Sequence, residues 1–190
     1  MILAYAYERS NGGLVAVDLV EERDGKFFEI ETGLEVKRVI AKMSKSLKNV
    51  VNPDDMISEY GTDALRMYEM VLGDFRDSAP WEPTGIVGVR RFLDRVHTTF
   101  TEGKNLAKDE MKTMKLLHKT VKKVGEDIED YKFNTAISSL MILLNEGLPT
   151  DSEFQTEWKE KFAILLHPFA PHMAEEIWNI LGHKDSIYDA

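Results

Sequence analysis

From Thr84 to the end of this 190-residue chain, apolar side chains recur every three or four positions, and that periodicity constrains the fold more than any other feature. Val89, Phe92, Leu93, Val96 and Phe100 make one stripe, and Met114, Leu117, Val121, Val124 and Ile128 a second. Asn134 is placed to cap a third helix carrying Ala136, Ile137, Leu140, Met141 and Leu144, ended by Gly147 and Pro149. Ser152 and Gln155 read as a capping box for a fourth, with Phe154, Trp158, Phe162 and Leu165 inward until Pro168 breaks it. A last helix runs from about Pro171 to Leu181 and closes at Gly182. A stripe on one helix is stable only against another, and the short connections make neighbours antiparallel. The expected fold is mainly α: an antiparallel helical bundle, preceded by a small antiparallel β segment and a short helical region.

The β segment is read from Leu14 to Ile40, where valines alternate with charged residues between the turn signals Asn11-Gly12-Gly13 and Asp24-Gly25. Two or three short strands are expected there, including a hairpin with arms Leu19–Arg23 and Lys26–Glu31. Further on, Asn52 should cap a short helix with Pro53 at its first position, ended by Gly61. Thr62 should cap a second, burying Ala64, Leu65, Tyr68, Val71 and Leu72 and stopped by Gly73.

Composition narrows the function. A net charge of −9, from 24 basic and 33 acidic residues, argues against coating nucleic acid by bulk charge, so any such contact must be local and shaped. The chain has no cysteine, which removes disulfides and thiolate metal sites. No apolar run approaches the roughly 20 residues that span a bilayer, so no membrane role is expected and a cytoplasmic location is. His167 and His172 are separated by five positions around two prolines and do not share a helical face, and the adjacent Glu175 and Glu176 diverge, so no metal site is assigned.

One pentapeptide carries chemistry. Lys42-Met43-Ser44-Lys45-Ser46 would arise by chance in about one in ten thousand chains of this length. It resembles the second ATP signature of class I aminoacyl-tRNA synthetases, and the continuations Leu47-Lys48-Asn49-Val50-Val51-Asn52-Pro53 and Gly61-Thr62-Asp63-Ala64-Leu65-Arg66 resemble the exit of their catalytic domain. Trp81 with Gly85-Ile86-Val87-Gly88 resembles the leucyl-tRNA synthetases in particular, and Phe133-Asn134-Thr135-Ala136-Ile137 and the run His167-Pro168-Phe169-Ala170-Pro171-His172 resemble their helical bundle, the second being shared with related class I members. Gly73-Asp74-Phe75 departs from the pattern, a proline being expected after the helix.

That resemblance implies three parts: residues 1–41 as the end of a catalytic domain with a leucine-specific β-rich insertion, 42–83 as the ATP loop with stem-contact helices, and 84–190 as an anticodon-binding-type bundle. It implies a C-terminal piece of a leucine–tRNA ligase, inactive alone, with Met1 an internal methionine. ATP with Mg²⁺ would be the substrate complex, with nothing tightly bound to the piece itself. The partners would be tRNA(Leu) and the nucleotide-binding and editing domains of the same enzyme, not DNA. Lys42 and Lys45 are assigned to catalysis, because ammonium groups can meet the charge that grows on departing pyrophosphate. Ser44 and Ser46 add hydrogen bonds to ATP, and Met43 packs beneath. Arg66, Arg91, Arg95, Lys115, Lys119, Lys122 and Lys123 are assigned to tRNA phosphates, by contact with backbone and shape rather than with the anticodon. The competing readings are a solvated basic face for the lysines, a stand-alone helical tRNA- or protein-binding module for the whole chain, or a piece of a valyl or isoleucyl enzyme. Trp81 is expected to be a packing anchor rather than a base-stacking platform.

Overall fold

The computed structural model describes residues 2–190; Met1 lies outside them. The chain opens with a strand that sequence reasoning did not anticipate, β1 (Ile2–Glu8). Its alternation buries Ala4 and Ala6 on one face and leaves Tyr5 and Tyr7 half-buried on the other. The expected hairpin forms from β3 (Val20–Arg23) and β4 (Lys26–Glu29), and its turn residues Asp24 and Gly25 both have positive φ, the twist that a two-residue hairpin needs. β5 (Glu35–Ala41) pairs antiparallel with both β4 and β1, and β2 (Leu14–Val15) closes the other side of β1. The order is β2-β1-β5-β4-β3, and β6 (Ala79–Pro80) adds in parallel to β1. β1 is therefore the strand that makes the sheet stable; the hairpin alone would be marginal.

At the sheet tip the Arg9 guanidinium grips Glu29 with two hydrogen bonds, Nη2 to Oε1 at 2.5 Å and Nε to Oε2 at 3.1 Å, while the Thr32 hydroxyl donates to Oε2 at 2.9 Å. The bond from Arg9 is the main cause that holds the Glu29 carboxyl below the usual carboxylate range. A depressed folded pKa means that this stabilisation is complete above the unfolded value, about 4.3, and is lost as pH falls through the folded one. Thermal unfolding of the chain and of Glu29→Gln should therefore differ most near neutrality and converge as pH falls well below about 4. A gap that persists unchanged in acid would show that the pair does not act through its charge.

Asn52 caps α1 (Pro53–Tyr60) by accepting the Asp54 N–H at 3.2 Å, and Gly61, at φ 90°, ends it. α2 (Thr62–Val71) takes Gly61 as its cap; Thr62 is the first helical residue and makes no capping bond. α3 (Pro83–Glu102) packs on α2 through Gly85, where a Cβ would stand 2.4 Å from the Tyr68 ring. That ring is locked from behind, since its hydroxyl donates to the Glu82 carbonyl at 2.5 Å and Trp81 meets it edge-on at 4.8 Å. Trp81 is buried, so it is an anchor of the core.

The remaining helices are α4 (Glu110–Glu129), α5 (Phe133–Glu146), α6 (Ser152–Leu166) and α7 (Pro171–Ile180). Ile137, Leu140, Leu143 and Leu144 of α5 are fully buried, which makes α5 the centre of the bundle. Several termini differ from expectation by one or two residues. Lys132, not Asn134, sits at the start of α5, and Asn134 bonds only the next amide. Asp151, not Ser152, caps α6, because its carboxylate accepts from both Glu153 and Phe154, while Gln155 turns back to the Pro149 carbonyl. Val121 faces outward; Thr120 takes the inward position instead. One apolar core runs from Ala64 on α2 through α7 to Ile187, so the helix pair α1–α2 is built into the bundle.

Candidate functional site

The Lys42–Ser46 segment leaves the end of β5 and closes a tight turn. Asn49, buried in the turn, organises it: its side-chain oxygen accepts the Ser44 N–H at 2.9 Å and its amide nitrogen donates to the Tyr5 carbonyl of β1 at 3.3 Å. The Ser44 hydroxyl lies 2.9 Å from that of Ser46 and accepts the Leu47 N–H at 3.2 Å. The turn finishes with Lys48 in the left-handed region, φ 49°, its N–H bonded to the Lys45 carbonyl. Two further contacts tie the turn to the sheet side, the Val17 N–H to the Leu47 carbonyl at 2.9 Å and Lys48 Nζ to the Asp18 carboxylate at 2.5 Å.

Met43 is half-buried and packs on the core, as expected. Lys42 and Lys45 are exposed, and their side chains make no hydrogen bond or ion pair among the described residues. Two free ammonium groups stand on a turn held by its own hydrogen bonds, none of which they make, so they are available to an anion without breaking those bonds. The serine hydroxyls are engaged within the turn and shape it. Asn49 is the residue that sequence reasoning missed; the signal was a polar residue three positions after the second serine, in a turn too short to satisfy its own amides.

The helix that follows is fixed to the far end of the bundle. Asp63, in the first turn of α2 and buried, accepts the Met173 N–H at the start of α7 at 2.7 Å and lies 2.7 Å from Nδ1 of His172. One turn along, Arg66 donates to the Pro168 carbonyl at 3.3 Å. His172 thus serves a structural contact. His167 and Glu175 do not join it, and among the described residues no cluster of three or more His, Cys, Asp or Glu could hold a metal ion.

The assigned phosphate-binding residues are all exposed, but they do not form one patch. Lys115, Lys119 and Lys122 line one groove with Lys112, between α4 and α6. Lys115 and Lys119 have no partner among the described residues, whereas Lys122 lies 3.7 Å from Glu126. Lys123 is committed elsewhere: it pairs at 2.8 Å with the buried Asp127, which also accepts from the Thr135 hydroxyl. Arg95 reaches Asn145 on α5 at 2.7 Å, Arg91 is free among the described residues, and Arg66 borders a separate recess with Phe133 and Phe169. No helix is long and apolar enough to cross a membrane among the described residues.

Two family models match. Residues 26–79 match tRNA synthetases class I (I, L, M and V), and residues 112–190 match the anticodon-binding domain of tRNA ligase. The leucine–tRNA ligases of Borrelia hermsii and Borrelia turicatae are each 48% identical over 190 residues, 99% of this chain. The chain belongs to the leucine–tRNA ligase family. It spans 22% of the length of those relatives, and 22% of the leucine–tRNA ligase of Borreliella burgdorferi, to which it is 46% identical. The structure of Agrobacterium radiobacter LeuRS in a ternary complex with tRNA and LeuAMS covers 77% of this chain with a TM-score of 0.67 and 27% identity, and the match spans 22% of that protein. Within this family member the class I model takes in the whole turn from Lys42 to Ser46 together with α1 and α2, and the anticodon-binding model begins at Lys112 in α4.

Proposed function

We propose that the chain is the ATP-loop and tRNA-docking segment of a leucine–tRNA ligase, which couples leucine to tRNA(Leu) in two steps. In the first, the leucine carboxylate attacks the α-phosphate of ATP and pyrophosphate leaves; in the second, the acyl group passes to the tRNA. Mg²⁺ arrives as the ATP complex. The observation that carries this reading is the pair Lys42 and Lys45, both free on a turn that Asn49 and Ser44 hold shut. An ammonium that finds its anion only as charge develops lowers the barrier without tightening the ground state. By this reading residues 1–41 end the catalytic domain, 42–83 carry the loop and stem-contact helices, and 84–190 dock the tRNA body in the cytoplasm.

The chain alone should fold yet fail to activate leucine, because the leucine pocket and most of the ATP site belong to a nucleotide-binding domain outside these residues. Leucine-dependent exchange of pyrophosphate into ATP should be undetectable in a preparation that shows a cooperative thermal transition. Joined to that domain, the same segment should support exchange with leucine and not with valine or isoleucine. Exchange by the chain alone, or exchange that prefers valine or isoleucine in the joined enzyme, overturns the reading.

Phosphate contact through Lys115, Lys119, Lys122, Arg66, Arg91 and Arg95 implies weak tRNA binding that falls steeply with salt, since released counterions set the slope. Lys123, tied to Asp127, should contribute least. Binding isotherms at several salt concentrations check this; affinity that ignores salt, or that follows the anticodon sequence, counts against it.

A further inference from the structure

The groove between α4 and α6 is unlike the rest of this acidic surface. It encloses about 920 Å³, within the size range of ligand sites, and its floor is apolar: Met111, Met114 and the ring of Phe154. Met111 is 69% exposed and lines the groove together with Phe154 and Met114, so its apolar surface joins theirs. One wall carries Lys115 and Lys119, one helical turn or about 6 Å apart along α4, with His118 between them in sequence. The acid on the opposite wall, Glu157, is already engaged by Lys161 at 2.6 Å, and that bond is the main cause holding its carboxyl below the usual range. Lys161 thus offsets part of its charge, and His118 lies 3.8 Å from the same oxygen; the other acid of the groove, Asp109, accepts the Lys112 N–H at the start of α4.

A duplex offers a cationic helix its phosphates and 2′-hydroxyls but keeps its base faces stacked inside, so it would leave the apolar floor wet. An unpaired nucleotide offers both features at once, phosphates to the lysines and a flat π-face to the floor. Stacking of a base on an aromatic or apolar platform stabilises single-stranded contacts without regard to sequence. The geometry points to this groove as a seat for an unpaired stretch of RNA, with Lys115 and Lys119 on consecutive phosphates and a base laid against Phe154, His118 and Met111. The inference rests on the tRNA-docking reading given above and deepens it: the lysine face holds a single-stranded or extruded segment of the tRNA rather than the side of a stem.

The test uses the 190-residue chain, a short single-stranded RNA, the duplex of the same sequence, and a tRNA(Leu) transcript, all followed by equilibrium binding across a salt series. The single strand should bind more tightly than the duplex and compete with the tRNA. Lys115→Ala with Lys119→Ala should reduce the salt slope for the single strand by about 1.4, two contacts at roughly 0.7 each. Phe154→Leu keeps an apolar floor and should weaken the single strand about fivefold or more while leaving the slope unchanged. Because Phe154 also packs on the core, His118→Ala is the second variant; its ring is 57% exposed, so the fold should not depend on it, and it should give the same selective loss. If no RNA binds in a salt-dependent way, both the docking reading and this inference are overturned. If tRNA binds and the lysine variant weakens it, but the duplex binds as well as the single strand or both His118→Ala and Phe154→Leu leave single-strand affinity unchanged, the docking reading stands and this inference is wrong.

Discussion

Replacing Lys45 by alanine in a leucine–tRNA ligase carrying this chain is expected to slow leucyl-adenylate formation by a hundredfold to a thousandfold, about 3 to 4 kcal/mol, while leucine binding stays the same. The Lys45 side chain stands free on the turn, and the hydrogen bond that its carbonyl accepts from the Lys48 N–H, with the Ser44 to Ser46 contact beside it, fixes its backbone. Truncation therefore removes an ammonium and disturbs little else. Lys45→Arg should recover only part of the rate, since a planar fork replaces a compact point charge. The deciding measurement is single-turnover adenylate formation at saturating ATP and leucine, set beside equilibrium leucine binding. A rate within about threefold of the parent would demote the loop to a structural lid.

The second large effect should come from Asp63, far from any phosphate. Its carboxylate is buried, accepts the Met173 amide in the first turn of α7 and meets the His172 ring, so it joins residues 109 and 110 positions apart in sequence. Asp63→Ala leaves the Met173 N–H without an acceptor in a site that excludes most water, a loss of about 2 to 3 kcal/mol. Asp63→Asn, which keeps one acceptor oxygen, should lose roughly half of that. Denaturant unfolding of the chain reads both directly; a midpoint that does not move for Asp63→Ala would mean that the α2–α7 contact contributes nothing to stability. His172→Ala should cost less than either, because that side chain is largely exposed and the amide contact survives its removal.

Much of this molecule could be read from its sequence, and the reasons for the exceptions are physical. Helical stripes are repeated signals, so the bundle and the order of its helices were legible from residues such as Phe92, Leu117, Leu140 and Phe162. The Lys42–Ser46 turn was legible because its residue string is rare. Strand β1 was not, since its inward residues, Ala4 and Ala6, are small and weak strand formers. The alternation with Tyr5 and Tyr7 was the signal to follow. The cap at Asp151 was misplaced because side chains near a terminus compete for the same free amides, and the start of α5 was misplaced because no side chain caps it at Lys132. Asn49 and Asp63 escaped notice because their partners, Tyr5 and Met173, are far away in sequence; no local pattern announces a long-range hydrogen bond.

Besides the packing of Ile2 and Met43 on the helical core and the Arg38–Glu82 pair at 3.9 Å, the backbone links the sheet to the bundle at two places among the described residues. One is the stretch from Lys48 to Val51, between the turn anchored on the sheet and the helix pair anchored on α7. The other is β6, which pairs with β1 and continues into Trp81, whose N–H bonds the Leu3 carbonyl at 2.8 Å. With these two links as pins, the movement left easiest between sheet and bundle is a swing about the line between them, limited by the packing of Ile2 and Met43 on the helical core. Four extended residues reach at most about 14 Å, so the first pin has little slack. Slow hydrogen exchange at the Trp81 and Val17 amides, against faster exchange at Val50 and Val51, would locate both pins; rapid exchange at Trp81 would remove the second. With both in place, a tRNA that tilts the bundle would swing it about this axis, and the distance between Lys45 and the docked RNA would then be set by an angle rather than by the reach of a floppy loop.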